Sequence, residues 1–155
     1  MATVILVVAI SAMFGSWSTC FKTSSKVAEV TAAAEICQAN LETAKVFGAG
    51  NMPLGVYSTS TSTASWSGAY IPATGWTSGA TAYYTYGGAQ LASSTTAGVY
   101  FSATVTVTDS NVLLGSGTTY SISPTTIRAV VVSVTNVSTG NVDFTMATNL
   151  VEGGL

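Results

Sequence analysis

Groups able to do acid–base, nucleophilic or metal chemistry are scarce in this chain and stand far apart. It has no histidine, six carboxylates, four basic side chains, two cysteines and seven tyrosines. Lys22, Lys26, Glu29, Glu35, Glu42 and Lys45 fall in one helix-prone stretch; beyond it stand only Asp109, Arg128, Asp143 and Glu152. A hydrolase needs carboxylates in pairs, and a metal centre needs clustered His, Cys or acidic ligands. No catalytic, cofactor or metal site is expected. Asp109 reads as a turn residue, Asp143 as exposed and Arg128 as a sheet-edge residue. A net charge of −2 leaves no basic footprint for nucleic acid.

Three other groups invite a functional reading. Cys20 and Cys37 lie on one expected helix, about 25 Å apart at ~1.5 Å per residue, whereas disulfide Cα atoms sit within about 7 Å. They cannot bridge within one chain and read as small buried apolar side chains, with a bond to a neighbouring subunit as the competing role. Trp66, Tyr70, Trp76 and Tyr84 could build an adhesive surface, or could pack a loop onto the sheet or onto adjacent subunits. Asn136-Val137-Ser138 is a glycosylation sequon beside an expected turn, and the hydroxyl run Ser58–Ser65 would suit O-linked sugars.

The elements that position these groups start from a strongly apolar end. Charged residues make up only 6% of the chain and hydrophobic ones 48%, with mean hydropathy +0.49. Soluble domains carry roughly 25% charge. Residues 2–21 are uncharged throughout, about 30 Å as a helix, which matches a bilayer's hydrocarbon core. Phe14, Trp17 and Phe21 gather at the far end as an interfacial belt, and Lys22 follows. A cleaved signal peptide would need a basic n-region, and nothing basic precedes the apolar run. Lys22 and Lys26 conflict with an outward-facing head under positive-inside logic; a short basic leader before Met1 is the expected resolution.

A single helix is expected over 1–47, apolar over 1–21 and amphipathic over 22–47. Gly15, Ser16 and Ser18 mark where it should bend or unwind, since Gly and Ser weaken helices. Cys20, Thr23, Val27, Val30, Ala34, Cys37, Leu41 and Ala44 form a close-packing stripe at 3-4 spacing. Lys26/Glu29 and Glu42/Lys45 read as surface pairs worth tenths of a kcal/mol. Gly48 to Pro53 stops the helix.

Residues 48–155 read as a Ser/Thr-rich β head. The stretch 54–98 suggests looping surface with one or two strands, Ala82–Tyr86 among them. From Val99 to Thr108, apolar and hydroxyl residues alternate as in a half-buried strand. Thr118–Ser123 suggests a short strand. Ile127–Thr135 reads as a strand covered on both faces. After a turn at Ser138–Asn141, Val142, Phe144, Met146, Thr148 and Leu150 should share the inward face of a last strand, with Asp143, Thr145, Ala147 and Asn149 outward. The fold class is α+β: a long helix packed on an antiparallel sheet of three to five strands.

This order of elements resembles the type IV pilin superfamily. MATVILVVAIS is similar to a processed pilin N-terminus, AAAEICQANLETAKVFGAGNMP to the helix end before a pilin head, and IRAVVVSVT with NVDFTMATNLV to its terminal hairpin. Bacterial members usually carry Glu at the fifth mature position, paired with a neighbour's N-terminal amine; here that position holds Ile5. ATVILVVAI is similar instead to archaeal pilins, which commonly lack the glutamate. A melted helix at Gly15–Thr19 would agree with the bacterial pattern, a continuous one with the archaeal.

The resemblance implies a structural subunit of an extracellular helical filament serving surface attachment. The helices would bundle in its core through Met1, Ile5, Val8, Phe14, Trp17, Val27, Val30, Ala34 and Leu41. It also implies copies of the chain as partners, a membrane stage before assembly, a prepilin peptidase and an assembly machinery. The alternatives are a low-abundance minor pilin or pseudopilin, and a single membrane-anchored β adhesion module.

Overall fold

The computed structural model describes residues 2–53, 65–71, 74–109 and 127–151. Among these residues one α-helix, α1 (Ala2–Phe47), and a 3-10 turn (Ala49–Asn51) precede seven strands: β1 (Ser65–Ile71), β2 (Gly75–Ser78), β3 (Ala82–Tyr84), β4 (Gln90–Leu91), β5 (Phe101–Asp109), β6 (Ile127–Asn136) and β7 (Val142–Val151). The α+β arrangement is the expected one. Thr118–Ser123, Ser110-Asn111 and residues 58–64 of the hydroxyl run lie outside the described residues.

The helix is continuous for 46 residues, about 69 Å at ~1.5 Å per residue. It does not unwind at Gly15, Ser16 or Ser18, contrary to the expectation from propensity. Propensity scales describe helices in water, where Ser and Thr compete for the backbone. Here hydroxyls return to the carbonyl one turn earlier: Ser11 to Val7 (2.9 Å), Thr19 to Gly15 (3.0 Å), Thr23 to Thr19 (3.0 Å) and Thr31 to Val27 (2.9 Å). Gly48 ends the helix at φ 72°, and its amide closes onto the Ala44 carbonyl at 3.2 Å.

β5 organises the sheet. One edge pairs antiparallel with β6, from Phe101 opposite Asn136 to Asp109 opposite Arg128. The other edge is shared end to end: Val105–Thr108 pair with β1, and Phe101–Ala103 with β3. β2 extends β1, β4 extends β3, and β7 extends β6. The sheet thus has seven strands, more than the three to five expected, but no line across it crosses more than β2, β1, β5, β6 and β7. β3 lies in the strand expected at Ala82–Tyr86, and the further short pieces of 54–98 are β1, which pairs on β5, and β2 and β4, which pair on β1 and β3.

The core lies between the second half of α1 and one face of the sheet. Ala33, Ile36, Cys37, Leu41 and Ala44 meet Phe101, Ala103, Val105, Val107, Val130, Val132 and Val134. The stripe is right from Cys37 to Ala44, but its earlier members are not core. Val27 is 60% exposed, Cys20 and Thr23 are exposed, and Val30 and Ala34 are half-buried. Ala33 and Ile36 take their place, because the sheet meets the helix only from about Glu29 onward. β6 is closed on one face and half-covered on the other, short of the double burial its β-branched run suggested.

In β7 the expected face assignment fails at its start. Val134 pairs with Phe144 but Thr135 pairs with Val142, so Asp143 is the extra residue of a β-bulge. A bulge re-aims the side chains beside it. Asp143 turns toward the helix with its side chain 3% exposed, while Val142 faces out at 61%. From Phe144 to Leu150 the expected alternation holds, with the apolar residues half-buried against the helix side.

Candidate functional site: the uncovered helix and its exit from the head

The residues expected to assemble divide at the point where the helix meets the head. Ile5 (70%), Val8, Phe14, Trp17 (65%) and Val27 stand exposed, and no residue from 4 to 28 is buried. Val30 and Ala34 are half-buried, and Leu41 is buried against the sheet, so Leu41 holds the head to the helix and cannot face a neighbour. Met1 lies outside the described residues. The Trp17 and Phe21 rings contact each other at 6.0 Å, beside the exposed Cys20. This is one helix long and apolar enough to cross a membrane, with mean hydropathy 1.9 over its most apolar window. Length, lack of charge and exposure together fit burial in an apolar medium outside the chain.

Where the helix enters the head, the expected Lys26/Glu29 pair forms, but as part of a larger polar cluster rather than on the open surface. Glu29 is 9% exposed and takes hydrogen bonds from three side chains. Lys26 Nζ donates to Glu29 Oε2 at 3.0 Å, Tyr100 Oη to Glu29 Oε1 at 3.3 Å, and Asn136 Nδ2 to the same oxygen through a short bond. Lys26 Nζ also reaches Asp143 Oδ1 at 2.6 Å, tying residues 117 apart in sequence. Asp143 is therefore not the exposed residue expected; the bulge made it an ion-pair partner. Hydrogen bonds from Lys26 and then Asn136 hold the Glu29 carboxyl below its ordinary range, and those to Asp143 and Glu29 hold Lys26 above its own.

The signs define a pH window. A depressed Glu29 contributes stability that is complete above its unfolded value of 4.5 and is lost as pH falls through the lower folded value. A raised Lys26 contributes stability that is complete below 10.5 and is lost as pH rises through the higher folded value. Stability curves against pH should keep this contribution between those limits and lose it on both sides. In Glu29→Gln the acid limb should flatten; an unchanged acid limb would show that Glu29 carries none of it.

Asn136 is the residue most changed by the tertiary structure. It is 3% exposed. Its Oδ1 accepts from the Ser138 amide (2.9 Å), the Ser138 hydroxyl (2.7 Å) and the Thr139 amide (3.2 Å), shaping the turn between β6 and β7. Its Nδ2, the atom that would carry a sugar, is occupied by Glu29. In this fold the amide is buried and bonded, and the residues of the sequon shape the turn. Asn136→Ala strips a buried carboxylate and two turn amides of a partner and should cost about 1–3 kcal/mol in chemical denaturation.

The candidate adhesive aromatics turn inward as well. Trp66 and Tyr84 are buried, and Tyr84 Oη accepts from Asn40 Nδ2 at 3.1 Å. Tyr70 and Trp76, half-buried, close on Phe47 with ring centroids at 5.0 and 5.7 Å, and Trp66 meets Trp76 at 5.6 Å. They clamp the C-terminal end of α1 onto β1 and β2, the packing role weighed against adhesion. Arg128 is not at a sheet edge: β6 is flanked by β5 and β7, the side chain is 2% exposed, and it donates to the Met52 carbonyl after the helix stop. Of the side chain of Asp109 nothing is described. Cys37 is buried, with its thiol pushed up to about 11 by burial.

Comparison with family models, with curated proteins and with solved structures found no match to this chain. Among the described residues no group of three or more His, Cys, Asp or Glu could hold a metal ion. What stands out physically is the uncovered apolar helix and the polar cluster that fixes where it leaves the head. Sequence reasoning found the helix. It missed Glu29, Tyr100 and Asn40, whose partners lie far away in sequence; the only local trace was Glu29 on the otherwise small, apolar face beside Val30 and Ala33.

Proposed function

We propose that this chain is the structural subunit of an extracellular helical filament of the type IV pilus kind. Helices bundle in the core, β heads lie outside, and the polymer serves surface attachment. The observation that carries this is the helix of residues 4–28, apolar as far as Phe21 and uncovered by the chain's own head. Burying a large apolar side chain is worth about 1.5–3 kcal/mol, so side chains such as Val4, Ile5, Leu6, Val7, Val8, Ile10, Phe14, Trp17 and Phe21 together demand a cover worth many kcal/mol. Lipid supplies it before assembly and the helices of other copies afterwards; transfer from one apolar medium to the other is then feasible. Contacts of helix on helix that do not close on themselves build an open polymer.

The returned hydroxyl bonds of Ser11 and Thr19 support this, because each satisfies a donor on a helix surface bound for an apolar medium. The unbroken helix through Gly15–Thr19 and the apolar Ile5 both agree with the archaeal pattern of the resemblance. By that resemblance, a prepilin peptidase and an assembly machinery act on the chain, and it is not an enzyme. Electron microscopy of sheared cell-surface material, with N-terminal sequencing, tests the reading. Filaments made mostly of this chain would support it. Scarcity of the chain within another protein's filaments would favour a minor pilin, and its confinement to the membrane a lone anchored β module. A detergent-free soluble monomer with residues 1–21 intact would sink all three.

A further inference from the structure

We infer that the end of the head around the helix exit docks on the lipid headgroup layer, through Tyr86, Val137 and Val142, so that the head rests on the bilayer before assembly. This rests on the membrane stage of the reading above and adds a second lipid-facing surface to it.

Three observations meet at one place. The first is position. Glu29 bonds Tyr100 and Asn136, and Lys26 bonds Asp143, so the start of β5, the β6–β7 turn and the start of β7 ring the helix at residues 26–29. The second is chemistry. Val137 is 46% exposed, Val142 61% and Tyr86 42%. They form one rim: the Val137 amide donates to the Tyr100 carbonyl at 3.0 Å, the Tyr86 and Tyr100 rings meet at 4.9 Å, and Val142 pairs with Thr135 next to Asn136. The turn itself, Val137 to Val142, carries no charge to desolvate. The two carboxylates beside it, Glu29 and Asp143, both pair with Lys26.

The third observation is height. If residues 2–21 fill the hydrocarbon core, Lys26 stands about 7.5 Å and Glu29 about 12 Å beyond it along the helix. Hydrocarbon is ~30 Å thick and the whole bilayer about 40–45 Å, so each headgroup layer is roughly 5–8 Å deep. The anchors of the rim therefore stand at the outer edge of the headgroup layer, within reach of the exposed side chains on the membrane-facing end of the head, and Tyr rings favour that interface. The Lys26–Asp143 and Glu29–Asn136 bonds fix this height.

The test uses the full chain in phosphatidylcholine vesicles with a Cys20→Ser background. Cys37 is buried and its thiol is raised to about 11, so it does not compete for label. An environment-sensitive fluorophore is placed at Val137→Cys, at Val142→Cys as a second rim position, at Val46→Cys (86% exposed, at the opposite end of the head) and at Ser11→Cys in the apolar helix. Quenching by lipids brominated near the headgroup should lower rim emission about twofold and leave position 46 unchanged, as expected for shallow interfacial burial. If both rim positions behave like position 46 while position 11 is quenched by deep bromines, the rim does not dock although the anchor is real. If position 11 is not quenched either, the membrane stage fails and the docking with it. Rim probes shielded only in assembled filaments, and never in vesicles, would make this a subunit contact and overturn the lipid assignment.

Discussion

Val8→Asp should abolish filaments and leave the head intact. Val8 is 63% exposed and touches nothing in the core, so the fold has no reason to change. A carboxylate near the middle of an apolar helix costs about 2.5–3.5 kcal/mol on insertion scales. In a helical polymer each copy would bring that cost to the shared core, where no basic residue among 2–21 can offset it. The expected result is loss of filaments from the sheared fraction, with the denaturation midpoint of the head in detergent unchanged. Filaments at normal abundance would mean that the helix surface near Val8 is not in the core, and the proposed assembly would be wrong.

Phe101→Ala should have the largest effect on the head, about 3–5 kcal/mol of destabilisation. Phe101 is fully buried at the start of β5, the strand that every other part of the sheet leans on. It pairs with Tyr84 on one side and Asn136 on the other, and its ring meets Tyr100 at 4.8 Å. The cavity would open beneath β3 and beside the Glu29 cluster, so neighbours on two elements lose contacts together. Denaturant titration in detergent reads the loss. A change below about 1 kcal/mol would show that the site collapses to fill the space, as occurs where surroundings relax.

The two substitutions separate what the chain needs for folding from what it needs for assembly. The boundary between the two lies near Glu29, where the helix changes its surroundings from medium to protein. Upstream, apolar side chains face outward and await a cover. Downstream, the covered face is built from small residues: Ala33, Cys37 and Ala44 have no exposure, which lets the sheet approach closely.

Much of this was legible in the residues. The uncharged run of 2–21 and the stop at Gly48 define the helix, because apolar length and a positive-φ glycine are local properties. The alternation of Val and Thr in β5 and the β-branched run of β6 define two strands, because one-sided burial imposes a period of two. Four other features were not legible. The short strands β1, β2 and β4 become extended only through partners in space, β1 on β5, β2 on β1 and β4 on β3, whereas β3 falls in the expected strand Ala82–Tyr86. The bulge at Asp143 is a single extra residue that reverses which neighbours face the helix. The aromatics of 66–84 read equally well as adhesive or as packing until Phe47 came into contact with them. Asn136 matched a short sequence pattern, but its amide is held by a carboxylate on another element.

By itself, then, the sequence determined an uncharged membrane-length helix and an α+β fold with a β head, since both follow from composition and periodicity along the chain. Tertiary structure alone decided that the cover of the helix ends near Glu29, and that Lys26, Glu29, Asn136 and Asp143 lock the head at that height. The physical reason is that burial and hydrogen bonding are satisfied by partners in space, and the partners of Lys26 and Glu29 lie 117 and 107 positions away.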